Sequence, residues 1–210
     1  NVAGDGGDEG GGAVSHSGYG LAGFYGCGFT NNTAYQRGGA VKVNNSQNTG
    51  PVLFSNCIMT LNGTLNKNDD DDGGGASWSA NGRGFTIVDC IVSSNYSAWR
   101  GGAVMRTQYS NICTGRIENT IFHGNSATHY GGALYLYPIT EPGLITNVVF
   151  RNNFATNSGG ALYRIDAGTT LMVLDTEFRG NATANNGGAV AAADISFRNC
   201  LFETNAATTN

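Results

Sequence analysis

The triplet Gly-Gly-Ala occurs seven times, beginning at Gly11, Gly38, Gly74, Gly101, Gly131, Gly159 and Gly187, at spacings of 27, 36, 27, 30, 28 and 28 residues. Self-similarity at a period of this size is the signature of a solenoid, in which each unit buries its apolar face only against its neighbours. A second element keeps step with the first. Each unit closes on an asparagine: Asn32, Asn62, Asn95, Asn125, Asn153, Asn181 and Asn205. From that asparagine to the next Gly-Gly the step is six residues in five of six units. The exception, Asn62 to Gly74, carries the insertion 66–72, Asn66-Lys67-Asn68-Asp69-Asp70-Asp71-Asp72. One corner of every unit is therefore fixed in length, and variation is confined elsewhere.

Side-chain type recurs in columns. Cys27, Cys57, Cys90, Thr120, Val148, Thr176 and Cys200 share one column, and Phe29, Met59, Val92, Phe122, Phe150, Phe178 and Phe202 lie two residues further on. Three residues before the first column stand Phe24, Phe54, Ile87, Ile117, Ile145, Val173 and Phe197, all apolar. Mixed residues separate the apolar ones, and alternation at period two means strands with one face inward. Gly-Gly-Ala opens a further short strand, as in Leu134-Tyr135-Leu136. The pattern predicts about three short strands per repeat, none buried on both faces. A repeat this long exceeds the roughly 18-residue coil of a hexapeptide helix. The expected fold is all-β: a right-handed parallel β-helix of about seven coils, ~28 residues per coil, and about 34 Å long at the ordinary strand spacing.

Residues just before the cysteine column are Gly26, Asn56, Asp89, Asn119, Asn147, Asp175 and Asn199. Asn and Asp tolerate left-handed backbone angles, so they suit a bend between strands. The closing asparagines are read the same way, with stacked amides bonding coil to coil as an asparagine ladder. The paired glycines are expected to supply positive φ or close backbone approach.

With 40% apolar residues in strict columns, low charge does not signal disorder here. The net charge of -4 and the lack of any Lys/Arg cluster exclude nucleic acid as an expected partner. No apolar run approaches the about 20 residues of a membrane-spanning helix. The chain shows no secretory leader and does not begin with Met, and both ends fall in the same phase of the repeat. The expectation is one β-helix domain over 1–210, a fragment or protomer of a longer assembly.

Gly-Gly-Ala followed by an aliphatic residue, with Phe-x-x-Asn closing the unit, resembles the repeat of the chlamydial polymorphic outer membrane proteins. The resemblance covers residues 11–205; Ser77 replaces the aliphatic residue in one copy, and Met59 and Val92 replace Phe in two. It implies a secreted or cell-surface β-helix with an adhesive role.

Five kinds of side chain are candidates for chemistry. Cys27, Cys57, Cys90 and Cys200 read as an inward core column of small apolar residues, with Cys113 outside it, and no Cys/His spacing suggests zinc. Polysaccharide cleavage needs two carboxylates about 5–10 Å apart; Asp89 and Asp175 share a column but stand three coils, about 14 Å, apart, and Glu118 and Glu177 occupy different columns. No catalytic residue and no cofactor is expected. The run Asp69, Asp70, Asp71, Asp72 offers oxygen ligands for Ca²⁺ but lacks the spaced pattern of a loop site and reads as a solvated insertion. His16, His123 and His129 receive no role. Trp78, Trp99, Tyr130, Tyr135, Tyr137 and Tyr163 cluster near Gly-Gly-Ala and read either as a sugar-stacking ladder or as coil-to-coil packing. N-glycosylation sequons begin at Asn31, Asn44, Asn62, Asn95 and Asn181. Asn31, beside a corner, and Asn44, assigned to a variable loop, are the better acceptors.

The combined expectation is a non-enzymatic extracellular or cell-surface structural and adhesive β-helix. It is expected to stack head to tail into a fibre or to contact cell-surface glycans or proteins. A carbohydrate-binding or polysaccharide-cleaving module is the alternative.

Overall fold

The computed structural model describes residues 10–49, 51–66, 72–82, 84–107, 114–137, 143–165 and 169–208. Every strand in it pairs in parallel with its counterpart one coil away. The strands form four sheets of seven, each running through all the repeats. Seven rungs are joined by six complete turns, and among the described residues there is no helix.

Sheet 1 contains the Gly-Gly-Ala strands, from Val14–Gly18 through Val104–Arg106 and Leu134–Leu136 to Val190–Ala192. Sheet 2 runs from Ala22–Tyr25 to Ile195–Arg198 and carries the Phe24 column. Sheet 3 runs from Gly28–Thr30 to Leu201–Glu203 and carries the Phe29 column. Sheet 4, from Thr33–Ala34 to Ala206–Ala207, consists of two-residue strands. This fourth strand per turn corrects the expected three. Two residues between an asparagine and a Gly-Gly corner are too few to show any alternation.

The core is the stacked columns themselves. Phe122, Phe150, Phe178 and Phe202 lie nearly parallel, with centroids 5.1, 4.9 and 4.8 Å apart at successive steps. Phe24 and Phe54 stack at 4.9 Å in sheet 2, edge-on to Phe29. Burying each ring contributes roughly 2–3 kcal/mol, and offset stacking adds about 1 kcal/mol per pair.

Three corners turn the chain. Between sheets 2 and 3 the expected residues take left-handed angles: Gly26, Asn56, Asp89, Asn119, Asn147, Asp175 and Asn199 all have φ between 47° and 61°. Their side chains bond outside the helix, Asn119 Nδ2 to Asp89 Oδ1 at 3.0 Å and Asn147 Nδ2 to Asn119 Oδ1 at 2.8 Å. Between sheets 3 and 4 the left-handed residue is the one before each closing asparagine, from Asn31 (φ 54°) through Leu61 (φ 57°) to Thr204 (φ 53°). The closing asparagines themselves do not bend the chain, contrary to the sequence reading; they are freed to point inward. At the third corner the two glycines divide the work. Gly131 has φ 65°, while a Cβ on Gly132 would lie 2.0 Å from the carbonyl oxygen of Gly160.

Sheet 1 departs from the expected one-sided burial. Val104, Met105 and Arg106 are all buried, as are Leu134, Tyr135 and Leu136. The outward residues Trp78, Met105 and Tyr135 form a second apolar cluster on the outer side of this sheet, with Tyr130, Tyr163 and Ile165 against it. Strict alternation gives which way a side chain points, not whether something covers it.

Candidate functional site

The most organised polar feature is the column of closing asparagines. Its middle members are 0–1% exposed. Asn125 shows the repeating pattern. Its Oδ1 accepts from both the backbone N–H and the Nδ2 of Asn95, at 3.0 and 2.9 Å. Its own Nδ2 donates to Asn153 Oδ1 one coil on, at 3.0 Å, and to the Val92 carbonyl, at 2.9 Å. The same arrangement joins Asn32 to Asn62, Asn62 to Asn95, Asn153 to Asn181 and Asn181 to Asn205. Each internal amide thus uses both N–H groups and accepts twice, which satisfies a buried polar column completely. The arrangement is an architectural element with no group left over for chemistry.

The cysteine column has a shared logic that the sequence reading missed. Cys57 Sγ reaches the carbonyl of Ser55 at 3.3 Å, and Cys90 Sγ that of Val88 at 3.1 Å. Thr120 and Thr176 donate their hydroxyls to Glu118 and Leu174 in the same way, each at 2.7 Å. Six of the seven members carry a donor one atom beyond Cβ that reaches back across the left-handed bend residue, which is why Cys and Thr interchange; Val148 fills the position by size alone. All four cysteines of the column are free, and Cys113 lies outside the described residues. Burial raises the Cys57 thiol and pushes Cys90 up to about 11. Alkylation at pH 8 is expected to modify the half-exposed Cys27 and Cys200 readily, and Cys57 and Cys90 only after denaturation, because the thiolate is the reactive form. Fast labelling of Cys90 in the native protein would contradict this burial. The linked stability follows in sign. Above the ordinary value of 9.0 the unfolded Cys90 thiol ionises while the folded one does not, so its contribution is complete below pH 9 and is lost as pH rises through about 11.

The carboxylates disperse. Asp89 and Asp175 sit exposed at the corner between sheets 2 and 3, each accepting from the asparagine of the next coil. Glu118 is paired with Arg116, and Arg179 bridges Glu177 and Glu203 at 2.9 and 2.6 Å. Asp69, Asp70 and Asp71 lie outside the described residues. Asp72 does not belong to a solvated insertion: it is buried, 3.2 Å from Arg37 Nε. Among the described residues no group of three or more His, Cys, Asp or Glu could hold a metal ion.

The aromatic ladder is also removed from ligands at its centre. Trp78 is 2% and Tyr135 1% exposed, which excludes these two from a sugar platform and leaves, of the two readings, coil-to-coil packing. Tyr135 stacks on Tyr163 at 5.6 Å, and the Arg100 guanidinium lies 5.1 Å from the Tyr135 ring centre and 5.2 Å from that of Trp99. Trp99 and His129 stack at 3.9 Å, so His129 belongs to this packing. Of the sequon asparagines, Asn31 is exposed, whereas Asn44 lies in the strand Val41–Thr49, half-buried, and not in a loop.

One exposed feature was not anticipated. In sheet 3 the outward residues Ile58, Ile91 and Ile121 stand in register on adjacent coils and are 50, 46 and 39% exposed. Leu61, Tyr96 and Phe154 are exposed on the neighbouring corner and sheet. Three isoleucines at one repeat position were the available signal, masked by Gly28 and Glu177 in the same column.

Comparison with known proteins adds one match. The model of the Chlamydia polymorphic membrane protein repeat matches residues 119–137 and 147–163. Neither a curated protein nor a solved structure matches the chain at a significant level. Each matched segment starts at a left-handed corner asparagine, Asn119 or Asn147, and runs through Phe-x-x-Asn to the Gly-Gly-Ala-Leu strand. The repeat recognised by the family model is therefore the same unit that closes one coil of the structure. The chain is a parallel β-helix, and two of its seven repeats match the model of the chlamydial polymorphic membrane protein repeat.

Proposed function

We propose that this β-helix is a non-catalytic rod displayed at a cell surface, where it serves a structural and adhesive role. The repeat type, named for membrane proteins, supports the surface placement. The observation that carries the adhesive reading is the uncharged apolar ridge of Ile58, Ile91 and Ile121, in register on three adjacent coils. Exposed apolar stripes of this kind mark contact surfaces, and a ridge without charged or hydrogen-bonding groups suits a protein on another surface better than a glycan. The rod is also suited to end-to-end extension. At its last described rung Phe202 stacks on Phe178 but remains 47% exposed, beside an open hollow of ≈ 470 Å³ lined by Val190, Ile195 and Phe197. A further rung, from the same polypeptide or another copy, would continue the phenylalanine stack.

Beads coated with the purified chain are expected to bind cell surfaces in a manner competed by free chain. The variant Ile58→Ser/Ile91→Ser/Ile121→Ser should lose that binding while keeping its thermal midpoint. Binding unaffected by the triple substitution would remove the ridge as the contact face. Electron microscopy at rising concentration tests extension: rods longer than the roughly 30 Å of seven rungs are expected, and short dispersed particles throughout would refute it.

A further inference from the structure

Three members of the asparagine ladder carry a second meaning. Two residues after each closing asparagine but the last, the chain places an inward side chain in sheet 4: Ala34, Thr64, Ser97, Ala127, Ala155 and Thr183, all buried. The position demands a small residue, and either Ala or a hydroxyl fits. Thr64 Oγ1 donates to Ser97 Oγ at 3.2 Å, and Ser97 Oγ accepts the backbone N–H of Trp99 at 3.1 Å. Wherever the hydroxyl is chosen, the ladder residue becomes the first position of Asn-x-Ser/Thr. This happens at Asn62-Gly63-Thr64, Asn95-Tyr96-Ser97 and Asn181-Ala182-Thr183.

We propose that Asn62, Asn95 and Asn181 are acceptors for oligosaccharide transfer in the unfolded chain, and that this modification and the native fold exclude one another. The transfer forms a bond between the asparagine Nδ2 and C1 of the first sugar. The bond from C1 to a lipid-linked diphosphate breaks, the lipid diphosphate leaves with the bonding pair, and Nδ2 loses one proton. In the folded chain none of the three amides has a proton to spare. Asn95 Nδ2 donates to Asn125 Oδ1 at 2.9 Å and to the Met59 carbonyl at 3.0 Å. Asn62 donates to Asn95 Oδ1 and the Phe29 carbonyl, and Asn181 to Asn205 Oδ1 and the Phe150 carbonyl. The three side chains are 1, 1 and 0% exposed, so even one sugar finds no volume. Asn31 provides the contrast: it heads the sequon Asn31-Asn32-Thr33, is exposed, and lies outside the ladder. A chain with these rungs reaches its native state where the transferase is absent, and fails to reach it where transfer to the emerging chain comes first.

The test is production of the chain behind a cleavable secretory leader in a eukaryotic cell, alongside production in bacterial cytoplasm. Site occupancy is read by glycopeptide mass spectrometry, and folding by far-ultraviolet circular dichroism and trypsin resistance. The bacterial product is expected to be folded. The secreted route is expected to yield chains occupied at Asn62, Asn95 or Asn181 that lack the β signal and are cleaved, whereas occupancy at Asn31 alone leaves resistance intact. Trimming to one sugar should not restore the fold. The variant Thr64→Ala/Ser97→Ala/Thr183→Ala keeps every ladder asparagine, removes the three sequons, and should emerge folded from the secretory route. Should that variant fail to fold in bacteria, wild-type chain made while lipid-linked oligosaccharide synthesis is inhibited takes its place. Native, trypsin-resistant chain from the secretory route with the three asparagines bare, or with any of them occupied, would overturn the proposal.

Discussion

Replacing Gly132 by alanine is expected to cost more than ~4 kcal/mol, in the exceptional range for single substitutions. The reason is contact with backbone alone. A Cβ at this position would meet the Gly160 carbonyl oxygen at 2.0 Å and the carbonyl group of Phe154 at 2.5 and 2.6 Å. No side chain can swing aside to make room. The adjacent Gly131 fails for another reason: its φ of 65° is costly for a residue with a Cβ, and its own Cβ would lie 2.1 Å from the Leu134 carbonyl oxygen. Gly28 is the matched control, since a Cβ there has nothing within 4 Å and its φ is ordinary. Gly28→Ala should stay within about 0.5 kcal/mol of the parent. Urea unfolding followed by circular dichroism measures both. Because coils contact only their neighbours, the damage from Gly132→Ala should also be local at first, with hydrogen exchange accelerating in the fifth rung before the second. A midpoint for Gly132→Ala equal to that of Gly28→Ala would show that the second glycine is not set by close approach.

The glycine pair illustrates which parts of this structure can be read from the chain. A constraint that recurs at fixed spacing in every coil writes itself into the sequence: the corner glycines and the asparagine column are legible because one residue type alone meets the geometry, and the phenylalanine column because its replacements, Met59 and Val92, are apolar too. Constraints met by several residue types were legible only in part. The position before the closing asparagine holds Asn31, Leu61, Ser94, Gly124, Asn152, Gly180 and Thr204, all left-handed. Nothing in so mixed a set announces φ > 0, and the bend was assigned one residue too late. The cysteine column suffered from the opposite ambiguity. Burial explained Cys, and only the bond to the carbonyl two residues back explains why Thr replaces it. The covered outer face at Trp78, Met105 and Tyr135 was beyond reach, since alternation is identical for an outward residue in water and one in a second cluster. The isoleucine ridge on sheet 3 is the mirror case, apolar residues that alternation places outward and that stay there.

Asn153→Ala and Asn153→Asp are expected to separate the hydrogen-bonding role of the ladder from its packing. Alanine leaves the Asn125 backbone N–H, one Asn125 amide proton and the Phe122 carbonyl without the partners they have at 3.0 Å. Three buried groups at about 1–3 kcal/mol each make a loss on the order of 5 kcal/mol, equivalent to a fall in Tm of roughly 10–20 °C for a chain of this size. Aspartate has nearly the same shape and keeps the acceptor for Asn125. It loses both donors, however, and sets carboxylate oxygens against the Phe122 carbonyl and Asn181 Oδ1. Burial and these oxygens both favour the protonated acid, so its pKa in the folded chain must lie above the ordinary value of about 3.9. The sign follows from linkage. Below about pH 4 the acid is neutral in both states and can donate one of the two missing bonds; as pH rises, the unfolded chain ionises first and the destabilisation grows until the raised folded value is passed. Urea midpoints between pH 4 and pH 8 should therefore fall with pH for Asn153→Asp relative to the parent, and run parallel to it for Asn153→Ala. If Asn153→Asp matched the parent at pH 8, the amide protons would not be holding the coils together, and shape alone would account for the column.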